Sequence, residues 1–200
     1  MIKRIILWIG TVVIAAFVLF SAEAVFYQKS LAAKTLRLHV VANSDSPEDQ
    51  EQKLQLRDHV LRELRDITWE CDDLESVENA VAMVLPQLRE SAKNYLVRNG
   101  SSYDVSATLC IESFDTREYD TFSLPAGEYH TLRIVIGEGQ GKNWWCVVFP
   151  TLCHAADSEE LEHMAQEGGY GEGELAFIQR TEPKYRLQFK VLEWIKKVFD

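Results

Sequence analysis

The chain predicts an α+β fold, with a mostly antiparallel sheet of about four strands and two helices packed on one of its faces. Two observations point there. Three short segments alternate apolar and polar residues with the period of a half-buried strand, and a fourth strand, Asn143 to Phe149, follows a glycine-rich turn. Between the first and second lie two long segments with the 3.6-residue period of an amphipathic helix. Helices grouped after one strand and followed by consecutive strands fit a layer of helix on a sheet better than alternating βα units.

The elements follow in order. Thr35 to Val41 places Leu36, Leu38 and Val40 on one side and Arg37 and His39 on the other, a strand. Asn43-Ser44-Asp45 ends it. Ser46 is a helix cap, with Pro47 at the first helical position and Glu48 and Asp49 at the positive end of the dipole. That helix runs to about Thr68 and buries Leu56, Val60, Leu64 and Ile67. A second helix starts at Asp72, with Val77, Ala80, Val81, Val84, Leu88, Ala92, Tyr95 and Leu96 on its apolar stripe. Pro86 should kink or split it, and Asn99-Gly100 stops it. Strands follow over Asp104–Phe114 and Glu128–Ile136, then a glycine-rich turn over Gly137–Gly141, then a strand over Asn143–Phe149.

The two ends of the chain read differently. Lys3-Arg4, an uncharged run from Ile5 to Phe20 and small residues at Ala22 and Ala24 describe a secretory signal peptide over 1–24, cut after Ala24. The competing reading is an uncleaved anchor over 5–22. Either way the body is exported. Val25–Lys34 shows no period and reads as a flexible arm. The main domain is 35–153. Residues 154–182 are acidic and pass through Gly-Gly-Tyr-Gly-Glu-Gly, a mobile linker. Residues 183–200 form a locally basic amphipathic helix.

A net charge of −10 argues against nucleic acid, which requires a cationic surface. Four cysteines in an exported chain permit disulfides. Cys146 and Cys153 flank Pro150 and could form a short bridge if their Cα atoms approach within about 7 Å. Cys71 and Cys110 read as small apolar residues.

Two blocks carry a family resemblance. One is Pro125-Ala126-Gly127-Glu128-Tyr129, Gly137-Glu138-Gly139 and Asn143 to Pro150, with Cys153 behind it. The other is Leu36-Arg37-Leu38, Ala42 to Gln50, Lys53 and Arg57-Asp58. Together they resemble the stage II sporulation protein R family. The resemblance implies an exported, non-enzymatic signal between the compartments of an endospore-forming cell. Its implied partner is a membrane-embedded aspartic protease of the mother cell, which processes a sigma-factor precursor. The location it implies is the space between forespore and mother cell.

For such a signal the candidate docking residues are Asn43, Asp45, Trp144 and Trp145. A strand-to-helix turn displays short polar side chains; a strand end with a helix cap explains Ser46 and Pro47 well and Asn43 and Asp45 less well, so for those two a structural role and a recognition surface both stand. Neighbours on a strand face opposite ways, so one tryptophan should be buried and one displayed. Trp145 is the expected inward one. The alternative function is an envelope enzyme with Cys146 as nucleophile, paired with a histidine such as His130. Gly137–Gly141 lacks the Gly-Lys-Ser/Thr ending of a phosphate loop. The cluster of Glu159, Glu160, Glu162 and His163 lacks metal-ligand spacing. No cofactor, metal or small-molecule substrate is expected.

Overall fold

The computed structural model describes residues 1–152 and 157–199. They divide into two compact units: Met1–Leu31 with Ser113–Gly127 and Gly171–Asp200, and Ala32–Glu112 with Glu128–Tyr170.

The second unit carries the predicted α+β architecture. The first helix of the chain, α1 (Ile2–Ala32), leads into β1 (Leu36–Val41), α2 (Pro47–Thr68) and α3 (Leu74–Arg98). β2 (Val105–Phe114) follows. A short hairpin, β3 (Arg117–Glu118) and β4 (Ser123–Leu124), precedes β5 (Gly127–Ile136) and β6 (Asn143–Phe149). The sheet order is β2-β5-β1-β6. β1 runs antiparallel to β6 and parallel to β5. Gly137 N–H donates to the Asp104 carbonyl, and the Cys110 thiol to the Thr131 carbonyl, so β2 and β5 run in opposite senses. Two of the three pairings are therefore antiparallel.

One face of this sheet is aliphatic and covered by helices. Leu36, Leu38 and Val40 of β1 align with Leu132 and Ile134 of β5 and with Cys146 and Val148 of β6. Leu56, Val60 and Leu64 of α2 and Val77, Val81 and Leu88 of α3 close over them. The local signals act as read. Ser46 Oγ accepts the Asp49 N–H at 3.1 Å, with Pro47 in the first turn. α3 is capped one residue later than the sequence reading, by Asp73, in a reciprocal box with Ser76. Pro86 does not split α3. It and Ala82, whose carbonyl its ring displaces, are both exposed, so water can satisfy the freed carbonyl.

The other departures are at the ends. Val25–Ala32 is no flexible arm but the last part of α1. The 154–182 stretch contains α4 (Ser158–Glu167) and α5 (Glu172–Gln179) in place of a plain linker. Gly168 and Gly169 end α4, and Gly171 caps the start of α5. Gly169 takes φ +82°, and the Tyr170 N–H reaches back to the Ala165 carbonyl at 2.8 Å. The short helices are held by burial of Leu161 and Ala165, and of Leu175, Phe177 and Ile178. α6 (Pro183–Phe199) is the predicted final helix.

In the first unit, α1, α5 and α6 share an aromatic core. Tyr27 stacks on Phe177 at 5.0 Å between centroids, and Phe177 also meets Tyr185 at 5.5 Å and Phe189 at 4.9 Å. Arg180 pairs with Glu118 at 2.8 Å and Lys196 with Asp115 at 2.7 Å, joining the hairpin region to the helices of the same unit.

Candidate functional site

The pairing of β1 with both β5 and β6 brings the turn after β1 against the loop between β5 and β6. Two stretches about a hundred residues apart in sequence thus form one platform. The Gln140 N–H donates to the Asn43 carbonyl at 3.0 Å and the Gly141 N–H to the Ala42 carbonyl at 2.9 Å. Asn43 Oδ1 accepts the Glu138 N–H at 3.0 Å, and Asp45 Oδ1 accepts the Lys142 N–H at 2.7 Å. Gly141 is required by approach: a Cβ there would sit 2.2 Å from the Ser44 carbonyl oxygen. Gly137 adopts φ +55°, and a Cβ would meet Asn43 Oδ1 at 2.3 Å.

Under the platform lies Asp49, 5 % exposed. It accepts from the Asn43 amide at 2.9 Å and from the Ser44 hydroxyl at 2.5 Å. These hydrogen bonds, Ser44's first, hold its carboxyl below the usual carboxylate range against the opposing effect of burial. Lys53, 4 % exposed, donates to Gln50 Oε1 at 2.7 Å and to the Lys142 carbonyl at 3.0 Å. Burial lowers its pKa from the ordinary lysine value. The Arg57 guanidinium lies over the Trp144 ring, 4.3 Å from its centroid.

Asn43 and Asp45 therefore spend side-chain oxygens on the backbone of the 137–142 loop. Their positions before the helix cap are explained by this loop-to-loop lock, which the sequence reading of a display surface left out. The tryptophans point to opposite faces, and Trp145, the expected inward one, is the less exposed, but it lies on the face away from the helices. Trp144 aligns with Val40 and shares the helix-covered face with Cys146 and Val148. It remains 38 % exposed, at the start of β6 beside Arg57. Trp145 is half-buried on the other face, stacked with His39 at 5.8 Å. The expectation took Val147's side as the core; Val147 is buried too, but the aliphatic cluster under the helices is built on Cys146 and Val148.

Around Trp145 runs a polar row that the sequence reading missed. His39 Nδ1 lies 2.9 Å from Glu112 Oε2, His39 Nε2 lies 2.9 Å from Asn143 Oδ1, and Arg133 Nε lies 3.5 Å from Glu112 Oε1. Each residue comes from a different strand, so only the sheet order assembles them. The one available signal was that all four occupy polar positions of alternating strands.

The pairing of Cys146 with His130 is not brought about. Cys146 is 2 % exposed within the aliphatic cluster. It pairs with Leu38, while His130 pairs with Leu36 on the far side of β1. Two strand spacings and two residues of offset separate them by roughly 12 Å. His130 instead meets Glu78 at 2.6 Å. A second cluster joins α2 and α3: Ser91 Oγ bonds both His59 Nε2 and Glu63 Oε1. The same His59 nitrogen faces Ser91 and Glu63, which is not the two-sided relay of a hydrolase triad. The Cys146–Cys153 bridge lies outside the described residues, because Cys153 does. Among the described residues no group of three or more His, Cys, Asp or Glu side chains is placed to hold a metal.

A family profile described as stage II sporulation protein R matches residues 32–159. Stage II sporulation protein R of Bacillus subtilis (strain 168) is 32 % identical over 187 residues, spanning 84 % of this chain and 82 % of that protein. No solved structure matches.

Proposed function

The chain belongs to the stage II sporulation protein R family, and from that membership and its part in sporulation we propose that it is an exported signal. In this reading it docks on a membrane-embedded aspartic protease and triggers processing of a sigma-factor precursor. It works by binding, without turnover of its own. The observation that carries the reading is the family match over residues 32–159, which takes in the whole platform. α1 has the length and composition of a signal sequence or membrane anchor, as export requires.

The docking surface proposed is the Trp144 edge of the platform. An exposed tryptophan held under an arginine on a rigid, hydrogen-bonded support is the kind of side chain that carries interface energy. Asn43 and Asp45 serve it as positioning residues, and Trp145 serves it from the opposite face of the same strand. The envelope-enzyme reading gains no support from the position of Cys146.

The test is reconstitution. The full chain is co-expressed with the protease and the sigma-factor precursor in a non-sporulating host, and processing is followed by immunoblot. Trp144→Ala should abolish processing with the chain still folded, and Cys146→Ala should retain it. Loss of processing with folded Cys146→Ala, and none with Trp144→Ala, would replace docking with catalysis.

A further inference from the structure

The C-terminal helix α6 has two apolar faces, and the fold uses one of them. At about 100° per residue, Tyr185, Phe189 and Leu192 project to one side, where all three are buried. Leu187, Val191, Trp194 and Val198 recur at helical spacing on the opposite side. Val191 is half-buried, but Leu187 is 61 % exposed, Trp194 58 % and Val198 54 %. One exposed apolar side chain is ordinary on a protein surface. A continuous stripe with a tryptophan in it, back to back with a filled core face, marks a surface that meets something.

The margin of the stripe is basic. Arg186, Lys190 and Lys197 follow one another along one side of it, and all three are exposed. Lys190 meets Glu193 at 3.1 Å, in an exposed pair that water screens. Lys196 turns away from the stripe to Asp115. Over the whole helix Lys184, Arg186, Lys190, Lys196 and Lys197 stand against one acid, Glu193, in a chain whose net charge is −10. The positive charge is thus gathered beside the open apolar face.

This combination fits a lipid surface better than a protein partner. Protein interfaces are depleted of lysine. A helix lying flat on a bilayer instead buries aliphatic and indole groups at the headgroup boundary. Its marginal lysines and arginines reach anionic phosphates while their own stems stay on apolar surface. Tryptophan suits that depth, because its ring is apolar and its N–H is polar.

We propose that the outer face of α6 docks the exported body on an anionic lipid bilayer. Leu187, Trp194 and Val198 enter the headgroup boundary, and Arg186, Lys190 and Lys197 meet phosphate groups. This rests on the export part of the proposed function, which places the body beside a membrane, and not on the protease. It makes no use of α1. A body held this way searches for a membrane-embedded partner in two dimensions.

The experiment collects the exported product from the medium of a Gram-positive host and mixes it with sedimentable vesicles. One set is phosphatidylcholine alone, and the other contains phosphatidylglycerol in equal part. Wild type should sediment with the anionic vesicles, much less with the neutral ones, and be released by salt. Leu187→Ser combined with Trp194→Ser should lower the partition about ten-fold or more. Lys190→Gln combined with Lys197→Gln should lower it about twenty-fold at low salt, at about five-fold for each basic residue. Trp69→Ser, which removes an exposed tryptophan at the end of α2, should bind as wild type does. With brominated lipid, wild-type fluorescence should be quenched and that of Trp194→Phe should not. All these side chains are exposed, so circular dichroism should show every variant folded.

Wild type left in solution with both vesicle types, or double variants that sediment as wild type does, overturns the proposal. If wild type ignores vesicles but the Leu187 and Trp194 variant fails to trigger sigma-factor processing, the face belongs to a protein partner instead. Vesicle binding without processing leaves the bilayer contact standing and removes the protease reading.

Discussion

Around the four-stranded sheet the core is aliphatic, and every contributing segment except β6 shows its period in the sequence. Around α1, α5 and α6 the core is aromatic, and its parts come from both ends of the chain: Tyr27 from one, Phe177, Tyr185 and Phe189 from the other. In the first case a local pattern commits each segment before it meets its partners. In the second, short helices with few apolar positions depend on large rings found far away in sequence. An eight-residue helix such as α5 is too short to persist on propensity alone. The aromatic unit should therefore be the one most damaged by loss of a single side chain.

The largest effect should come from Phe177→Ala, which empties the centre of the aromatic cluster at a fully buried position. A loss of about 3–5 kcal/mol is expected, measured by denaturant unfolding of the detergent-solubilised chain. Leu38→Ala, on the sheet, should cost about 2–5 kcal/mol. A Phe177 variant as stable as wild type would erase the contrast between the two cores.

The platform gives the next effects. Asp49→Asn keeps the shape but removes a charge that accepts from Asn43 and Ser44, and should cost about 1–3 kcal/mol near neutral pH. The folded pKa of Asp49 is depressed. Its contribution is therefore present above the unfolded value of about 3.9 and is lost as pH falls through the lower folded value. Wild-type stability should drop below about pH 4, and Asp49→Asn should flatten that drop. Equal acid profiles for the two proteins would show that the carboxylate does not hold the platform. Gly141→Ala should cost about 1–3 kcal/mol by forcing apart the Ser44 carbonyl and the loop, read from thermal melting.

The smallest effect on stability should be at Trp144. Its alanine variant loses a half-screened cation–π contact, and a change under about 1 kcal/mol is expected. Trp145→Ala, at a half-buried ring packed on His39, should cost more. If Trp144→Ala unfolds the protein and Trp145→Ala does not, the reading of Trp144 as the displayed ring is wrong.

Much of the sheet unit was legible. Alternation marked β1, β2 and β5, and Ser46-Pro47 marked the start of α2, because strand period and helix capping depend on residues within a few positions of each other. The blocks at Ala42–Gln50 and Asn143–Pro150 marked the family for the same reason. They are contiguous text. The site was legible only as a set of residues. Asn43 and Asp45 were visible, but the backbone amides they hold lie about a hundred residues away. No local rule connects them.

What the sequence alone determined was thus the set of elements around the sheet, the charge, the apolar N-terminus and the family. Tertiary structure decided the rest. Period two says that Trp144 and Trp145 face opposite ways; only the pairing of β6 with β1 says which one joins Leu38 and Val40 under the helices. Composition makes 154–182 look like a linker, yet burial of Leu161, Phe177 and Ile178 turns part of it into helix. Ala22 and Ala24 look alike to a local rule, yet Ala22 is exposed and Ala24 is buried, next to Glu23, which Gln188 of α6 engages. In each case the local signal allows two outcomes of similar free energy. Desolvation against a distant partner, worth several kcal/mol for a large side chain, selects one.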